Sequence, residues 1–319
     1  MQTALTEMLG IEHPVMLAGM GGVSYSRLCA AVSEAGGFGC LGASTMSDDT
    51  MVREIAAVRE LTERPFGVDL LTAAPQDMPS KVQAIIDGGA SVFVAGLGVP
   101  REVVDQCHEQ DVLVINMCGK VHHAVDAVEA GCDVVVAQGT EAGGHTGRVA
   151  TLPLVPMIVD AVGPEVPVVA AGGIFDGRGL AAALVLGAAG VWVGTRFIAT
   201  PEARSVIGYK ERILDSDETS TLVTRAYTGK TCRVLSTSYA DAFERAGGKA
   251  DPFPAQYLKS LDDGVNHLGG DEDTDGVDPD KEFMPAGQAV GAIGSLVPAG
   301  DIVESMVNEA DAALAMISA

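Results

Sequence analysis

The chain has 319 residues, 47% hydrophobic and only 4% aromatic, with 39 glycines and a formal charge of −23. That length suits one large barrel or two ordinary domains, and a core of Val, Ala, Leu and Ile with many tight turns suits an α/β protein better than an all-β one. The acidic balance argues against nucleic acid and anionic membrane surfaces as partners.

In chain order, His13-Pro-Val-Met-Leu-Ala18 reads as a first strand ended by Gly19-Met-Gly-Gly22. Ser24 is placed to cap a helix running to Glu34. Gly36 to Leu41 gives a second strand, and Asp48 or Asp49 starts a helix to Glu63. Pro65 to Leu70 is the third strand, with a helix from about Ser80 to Asp87 stopped by Gly88-Gly89. Ser91 to Ala95 is the fourth strand, followed by a helix from Pro100 to Glu109. Val112 to Ile115 is the fifth, followed by Val121 to Ala130 as helix. Asp133-Val-Val-Val-Ala137 is the sixth, followed by a glycine-rich loop and a helix near Pro153 to Val162. Val166 to Ala171 is the seventh, with Gly177 to Leu186 as helix, and Gly190-Val-Trp-Val-Gly194 is the eighth.

Eight apolar strands alternating with seven helices at about 25-residue spacing imply parallel strands joined by helical crossovers, and eight such units suggest a closed (β/α)8 TIM barrel. An open dinucleotide-binding sheet wants GxGxxG after its first strand, and Gly19-Met-Gly-Gly-Val-Ser lacks that spacing. After residue 200 the pattern changes. Pro201 to about Arg245 reads as charged and helix-like. Leu261 to Glu282 is an acidic loop with nine acids against one lysine, and Ala286 to Gly294 and Asp301 to Ile317 read as helices. The expected organisation is a barrel of residues 1–200 and 286–319, with 201–285 as a helical and acidic-loop substrate or lid segment above the barrel mouth.

Cys29, Cys40, Cys107, Cys118, Cys132 and Cys232 lie scattered, mostly in apolar runs without CxxC, as expected of small buried hydrophobes in a reducing cytosol. Met1 to Glu7 carries no basic or apolar signal region, and the two long uncharged runs are broken by glycine and proline. A cytoplasmic protein is the expectation, and a homodimer stays open.

Barrel active sites come from the loops after the strands. Gln138-Gly-Thr-Glu-Ala-Gly-Gly-His-Thr-Gly147 follows the sixth strand and holds His145 between Gly144 and Thr146. Glycines there let a flat ligand lie against the backbone, and a histidine can act as a base near neutral pH. The seventh strand ends in Ala171-Gly-Gly-Ile-Phe-Asp-Gly-Arg-Gly179 and the eighth in Gly194-Thr-Arg-Phe197. Two glycine-bearing loops side by side, each feeding a helix N-terminus, make a phosphate pocket to which Thr195 adds a hydroxyl.

Across nearly its whole length the chain resembles the nitronate monooxygenase family, formerly called 2-nitropropane dioxygenases, which includes FMN-dependent enoyl-ACP reductases. The resemblance rests on His13 to Met20, Arg64-Pro-Phe-Gly-Val68, Gln138 to Gly147, Ala170 to Gly179, Val193-Gly-Thr-Arg-Phe197 and Met284-Pro-Ala-Gly-Gln288. It implies an FMN barrel with the phosphate on Gly172, Gly173, Gly194 and Thr195. The ring would lie over Ala18, Gly19 and Met20, with Gln138 at its polar edge. Asp69, Gly143, Gly144 and Ala171 would complete the cofactor site, and His145 matches the family's base. Two departures stand out: Asp69 replaces an Asn frequent in relatives, and Asn116-Met117-Cys118 replaces a lysine-bearing segment of the class I type. The version of the His145 loop is closer to the class II-like branch and the enoyl reductases.

The implied reaction is oxidation of alkyl nitronates with O2 to a carbonyl product and nitrite. For a neutral nitroalkane, His145 would first remove the acidic carbon proton. The alternatives are an enoyl-thioester or quinone reductase fed by NAD(P)H on the same scaffold, and a flavin- or calcium-binding module without turnover. The calcium alternative comes from Asp271 to Glu282, which fits D-x-D-x-D-G-x5-E although Gly269-Gly270 breaks any entering helix. No zinc spacing occurs. His122-His123 reads as a surface pair, His13 as structural, and His108 and His267 have no partner set.

Overall fold

The computed structural model describes residues 1–72, 76–96 and 98–318. Eleven strands form two sheets: β1 (Val15–Leu17), β2 (Gly39–Gly42), β3 (Phe66–Leu71), β4 (Val92–Gly96), β5 (Leu113–Cys118), β6 (Val134–Gln138), β7 (Gly144–His145), β8 (Val168–Ala171), β9 (Gly190–Val193), β10 (Thr221–Thr224) and β11 (Cys232–Leu235). The eight predicted strands are β1–β6, β8 and β9, hydrogen-bonded in parallel in the order β1-β9-β8-β6-β5-β4-β3-β2. The ring closes between β1 and β2. There the Leu17 amide donates to the Phe38 carbonyl and the Phe38 amide to the Val15 carbonyl, each at 2.9 Å. The chain is a (β/α)8 barrel.

Continuous apolar strands are what such a barrel requires, because both strand faces are buried. Inward residues Met16, Phe38, Val94, Ile115, Val136, Val169 and Trp192 form one core. The helix Ala4–Leu9, capped at its N-terminus by the Thr3 side chain, adds Leu5 and Leu9 to that core, and Ile11 just after it adds a third side chain. Leu5 is fully buried, and full burial of such a side chain is worth about 1.5–3 kcal/mol. Outward residues pack under the helices as a second core. The C-terminal helix Ala299–Ser318 lies between Gly177–Val185 and Ser26–Glu34 and completes the outer helical ring.

Three local expectations differ from the structure. Ser24 does not cap a helix: its hydroxyl oxygen accepts from the Met20 amide at 2.7 Å, closing the loop after β1, and the helix Ser26–Glu34 starts two residues later. The segment after residue 200 is not only helix and loop. β10 and β11 form an antiparallel pair, and β11 pairs in turn with β7. A third core gathers around Tyr227, Val234, Val265 and Phe283. Third, Gln288–Ala292 is a short 3-10 turn rather than a helix reaching Gly294. No helix among the described residues is long and apolar enough to cross a membrane, and all six cysteines are free and buried.

Candidate active site

The C-terminal ends of the strands bring the predicted residues to one mouth. Ala18, Gly19 and Met20 follow β1, with the Ala18 amide bonded to the Val193 carbonyl of β9 at 2.8 Å. Gly194 sits against Met20 and Ala18: a Cβ added to it would lie 3.3 Å from Met20 Sδ and 3.4 Å from Ala18 Cβ. Gly19 has no room for a side chain either, since its Cβ would fall 2.2 Å from Asp69 Cβ. Asp69, in β3, is thus pressed against the loop proposed to floor a flavin ring. Burial lifts its carboxyl to about 8, no hydrogen bond to it is found among the described residues, and no cation offsets the burial. At neutral pH the carboxyl is therefore mainly protonated. Asn116, where relatives of another type carry lysine, is buried and bonds the Ala95 carbonyl at 3.0 Å.

The loops after β8 and β9 present backbone donors. Gly172 (φ 103°) and Gly173 (φ 73°) adopt left-handed angles that favour glycine, which turns the chain back under the loop after β6. The amides of Gly172, Gly173 and Gly194 have no acceptor among the described residues. Thr195 Oγ1 accepts from the Gly287 amide at 2.9 Å, which leaves its proton for a ligand. The helix dipoles contribute less than expected. The N-terminus of Gly177–Val185 is already met by Asp176, which accepts from the Gly179 amide, and by Glu309 Oε2, which accepts from the Gly177 amide at 2.9 Å. The turn beginning at Thr195 is four residues long. An anion here would rest on loop amides.

His145 lies in β7 opposite Cys232 of β11. Two hydrogen bonds hold it, and a third residue ties down the hairpin it pairs with. Gln138 Nε2 donates to the His145 carbonyl at 2.9 Å, so of the Gln138 amide it is the oxygen that is left without a partner among the described residues. Arg233, buried in β11, donates to the Thr140 carbonyl at 3.0 Å and to Thr221 Oγ1 at 3.2 Å, tying the hairpin to the loop after β6. Thr228 Oγ1 is 3.0 Å from His145 Nε2 and 3.2 Å from the Lys230 carbonyl. A hydroxyl has one proton. Donated to that carbonyl, it leaves Thr228 to accept from Nε2–H, and the basic lone pair of the imidazole is then on Nδ1. Burial, with Lys230 as a second cause, depresses His145 to about 4, so the ring is neutral at physiological pH. Gly143 is where Ala286 and Gly287 cross the loop, with its Cβ position 2.7 Å from both. Gly144 (φ 74°) has open space at its Cβ position. Thr228 and Arg233 carry no motif in the sequence and were not among the predicted site residues.

Two histidines without predicted partners have them. His108 Nε2 is 2.9 Å from Asp133, and His267 Nδ1 is 2.7 Å from Glu282, whose carboxylate is fully buried. In the acidic loop, Asp271 pairs with Arg204 and Asp278 with Lys281. The first and twelfth positions of the calcium-like pattern, Asp271 and Glu282, are thus turned to other partners. Among the described residues no group of three or more His, Cys, Asp or Glu is placed to hold a metal. His122 and His123 are exposed and stack edge to face.

Comparison with known proteins agrees with the barrel fold. The profile of the nitronate monooxygenase family matches residues 2–84 and 76–309. A (3aS,4S,5R,7aS)-5-hydroxy-7a-methyl-1-oxo-octahydro-1H-indene-4-carboxyl-CoA dehydrogenase of Mycobacterium tuberculosis is 41% identical over 256 residues, covering 80% of this chain and 72% of that protein. A probable nitronate monooxygenase of Staphylococcus aureus is 31% identical over 96% of both chains. Among solved structures, FabK from Thermotoga maritima superposes with a TM-score of 0.90 at 33% identity over 100% of this chain and 99% of its own. Nitroalkane oxidase from Streptomyces ansochromogenes gives 0.84 at 28% identity, over 99% and 100%. With the family profile spanning barrel and appended segment alike, the chain belongs to the nitronate monooxygenase family of oxidoreductases.

Proposed function

We propose that the barrel mouth holds FMN and that the protein oxidises alkyl nitronates with O2 to a carbonyl product and nitrite. The observation that carries the cofactor is the set of unsatisfied amides of Gly172, Gly173 and Gly194 beside the Thr195 hydroxyl, a donor set suited to a phosphate. Ala18, Gly19 and Met20 would support the ring, with Asp69, Gln138, Gly143, Gly144 and Ala171 around it. The bound flavin supplies the electron-accepting chemistry. The protein's own part is position and proton handling. A nitronate needs no base, and the neutral His145 can hold it by hydrogen bonding. A neutral nitroalkane would lose its carbon proton to Nδ1, with Thr228 keeping the imidazole in that tautomer. Residues 201–285 act as the segment that closes this mouth. His145→Ala tests the assignment: it should retain FMN and lose about 100-fold or more of its rate with neutral nitroalkanes. A variant that keeps both FMN and nitroalkane turnover would remove His145 from its role.

A second reading is a thioester oxidoreductase, with NAD(P)H as the electron source in the reducing direction. It is supported by the 41% identity to a carboxyl-CoA dehydrogenase and by a cleft beside the His145 loop that is larger than a small nitronate needs.

A further inference from the structure

A cleft opens between the end of the His145 loop and the β10–β11 pair. It measures about 380 Å3, within the range of about 300–1,000 Å3 usual for small-molecule sites, and is lined by Thr140, Gly147, Arg148, Arg225, Thr231 and Glu244 among others. Gly147 and Arg148 follow His145 by two and three residues, and the Thr146 amide donates to the Thr231 carbonyl. The cleft therefore shares a wall with the β7–β11 pair that carries His145.

Two of its lining residues are arginines, and neither Arg148 nor Arg225 makes an ion pair among the described residues. Arg225 is held by Nε, which donates to the Gly229 carbonyl at 2.7 Å, so its two terminal nitrogens are oriented and have no partner among the described residues. Arg148 has no hydrogen-bond partner among the described residues. Two guanidinium forks suit phosphate oxygens. The third charge is Glu244, one of whose oxygens accepts from Thr224 Oγ1 at 2.7 Å. A carboxylate repels a bare phosphate but accepts from hydroxyl or amino groups. The combination fits a nucleotide, with phosphates on the arginines and sugar or base donors on Glu244.

We infer that this cleft seats the nucleoside diphosphate portion of a larger reactant, leaving the reactive end to reach His145. The inference deepens the thioester reading and rests on it. A CoA thioester and a nicotinamide dinucleotide both carry that group.

Binding of ADP, CoA, NADPH and inorganic phosphate is measured by calorimetry on the FMN-loaded full chain and on Arg148→Ala, Arg225→Ala and the double variant. FMN content and melting temperature check that the variants fold. ADP should bind, and each single substitution should weaken it about tenfold, the loss of one charge-assisted contact. Inorganic phosphate should compete poorly with ADP on the unmodified protein, and Glu244→Gln should weaken ADP while letting inorganic phosphate compete better. Tighter CoA assigns the diphosphate to the thioester, and tighter NADPH to the electron donor; either supports the site. No binding of ADP, CoA or NADPH, unchanged ADP affinity in the double variant, or phosphate competing as well as ADP would overturn it. Flavin reduction by nitronate and by NADPH is scored separately on the unmodified protein. A failed redox reading with Arg-dependent ADP binding would leave the cleft assignment intact, and the reverse result would sink the cleft alone.

Discussion

Replacing Asp69 with Asn gives a pH-dependent stability change of predictable sign. The carboxyl titrates near 8 in the fold against 3.8 as its ordinary value, and burial is the cause. A carboxyl raised by folding leaves stability intact below its unfolded value. As pH rises from there to the folded value, the unfolded chain releases the proton and the folded one keeps it, so stability falls. At pH 7 about three units separate pH from the unfolded value, at 1.36 kcal/mol per unit an upper bound of about 4 kcal/mol. Asp69 is half-buried at a mouth open to water, and screening brings this to about 2 kcal/mol. Asn has similar volume and does not titrate. Urea unfolding of flavin-free protein at pH 4, 5.5, 7 and 8 should therefore find Asp69→Asn equal to the parent at pH 4 and more stable by about 2 kcal/mol at pH 7, with the gap growing toward pH 8. A gap that stays constant with pH, or an Asn variant less stable at pH 7, would show that the carboxylate is ionised and satisfied.

Lys230→Met removes the second cause of the depressed His145 value, so the acid limb of nitroalkane turnover should move upward from about 4, read from the pH profile of kcat/KM. Thr228→Val leaves Nε2 unpaired, and at about 1 kcal/mol for the lost bond should lower nitroalkane turnover about fivefold while FMN content stays constant. Gly139→Ala places a Cβ 2.0 Å from Thr151 Oγ1 and 2.5 Å from its backbone nitrogen, and should cost about 3 kcal/mol or more in denaturant unfolding, at or above the upper end for overpacking. Glu282→Ala strands His267 and empties a buried carboxylate site, a loss of about 3 kcal/mol by the same assay.

The barrel was legible because parallel strands buried on both faces leave uninterrupted apolar runs, as in Asp133 to Ala137, and because glycines mark the strand ends. The antiparallel sheet was not. Thr221–Thr224 and Cys232–Leu235 are four residues each, with three polar residues among the eight, and the further partner of the second is only Gly144–His145. Nothing local sets such pairing. The support of His145 escaped for the same reason: Thr228 is 83 residues away in sequence, and a single threonine has no spacing to read. The partners of His108 and His267 lie 25 and 15 residues off, beyond any helical or strand period. Glu309, which meets the helix after β8, is 132 residues from it. The loops were readable as donors to a phosphate, but their competing partners were not.

The most direct test is a visible spectrum of the purified protein supplied with FMN, followed by anaerobic mixing with propionate 3-nitronate and, separately, with NADH and NADPH. The account predicts a bound yellow flavin bleached by the nitronate alone, with O2 uptake and nitrite on admission of air. Reduction by NADPH and not by nitronate would contradict nitronate oxidation in favour of the thioester reading. A protein that stays colourless with FMN present would contradict the phosphate cradle of Gly172, Gly173, Gly194 and Thr195 itself.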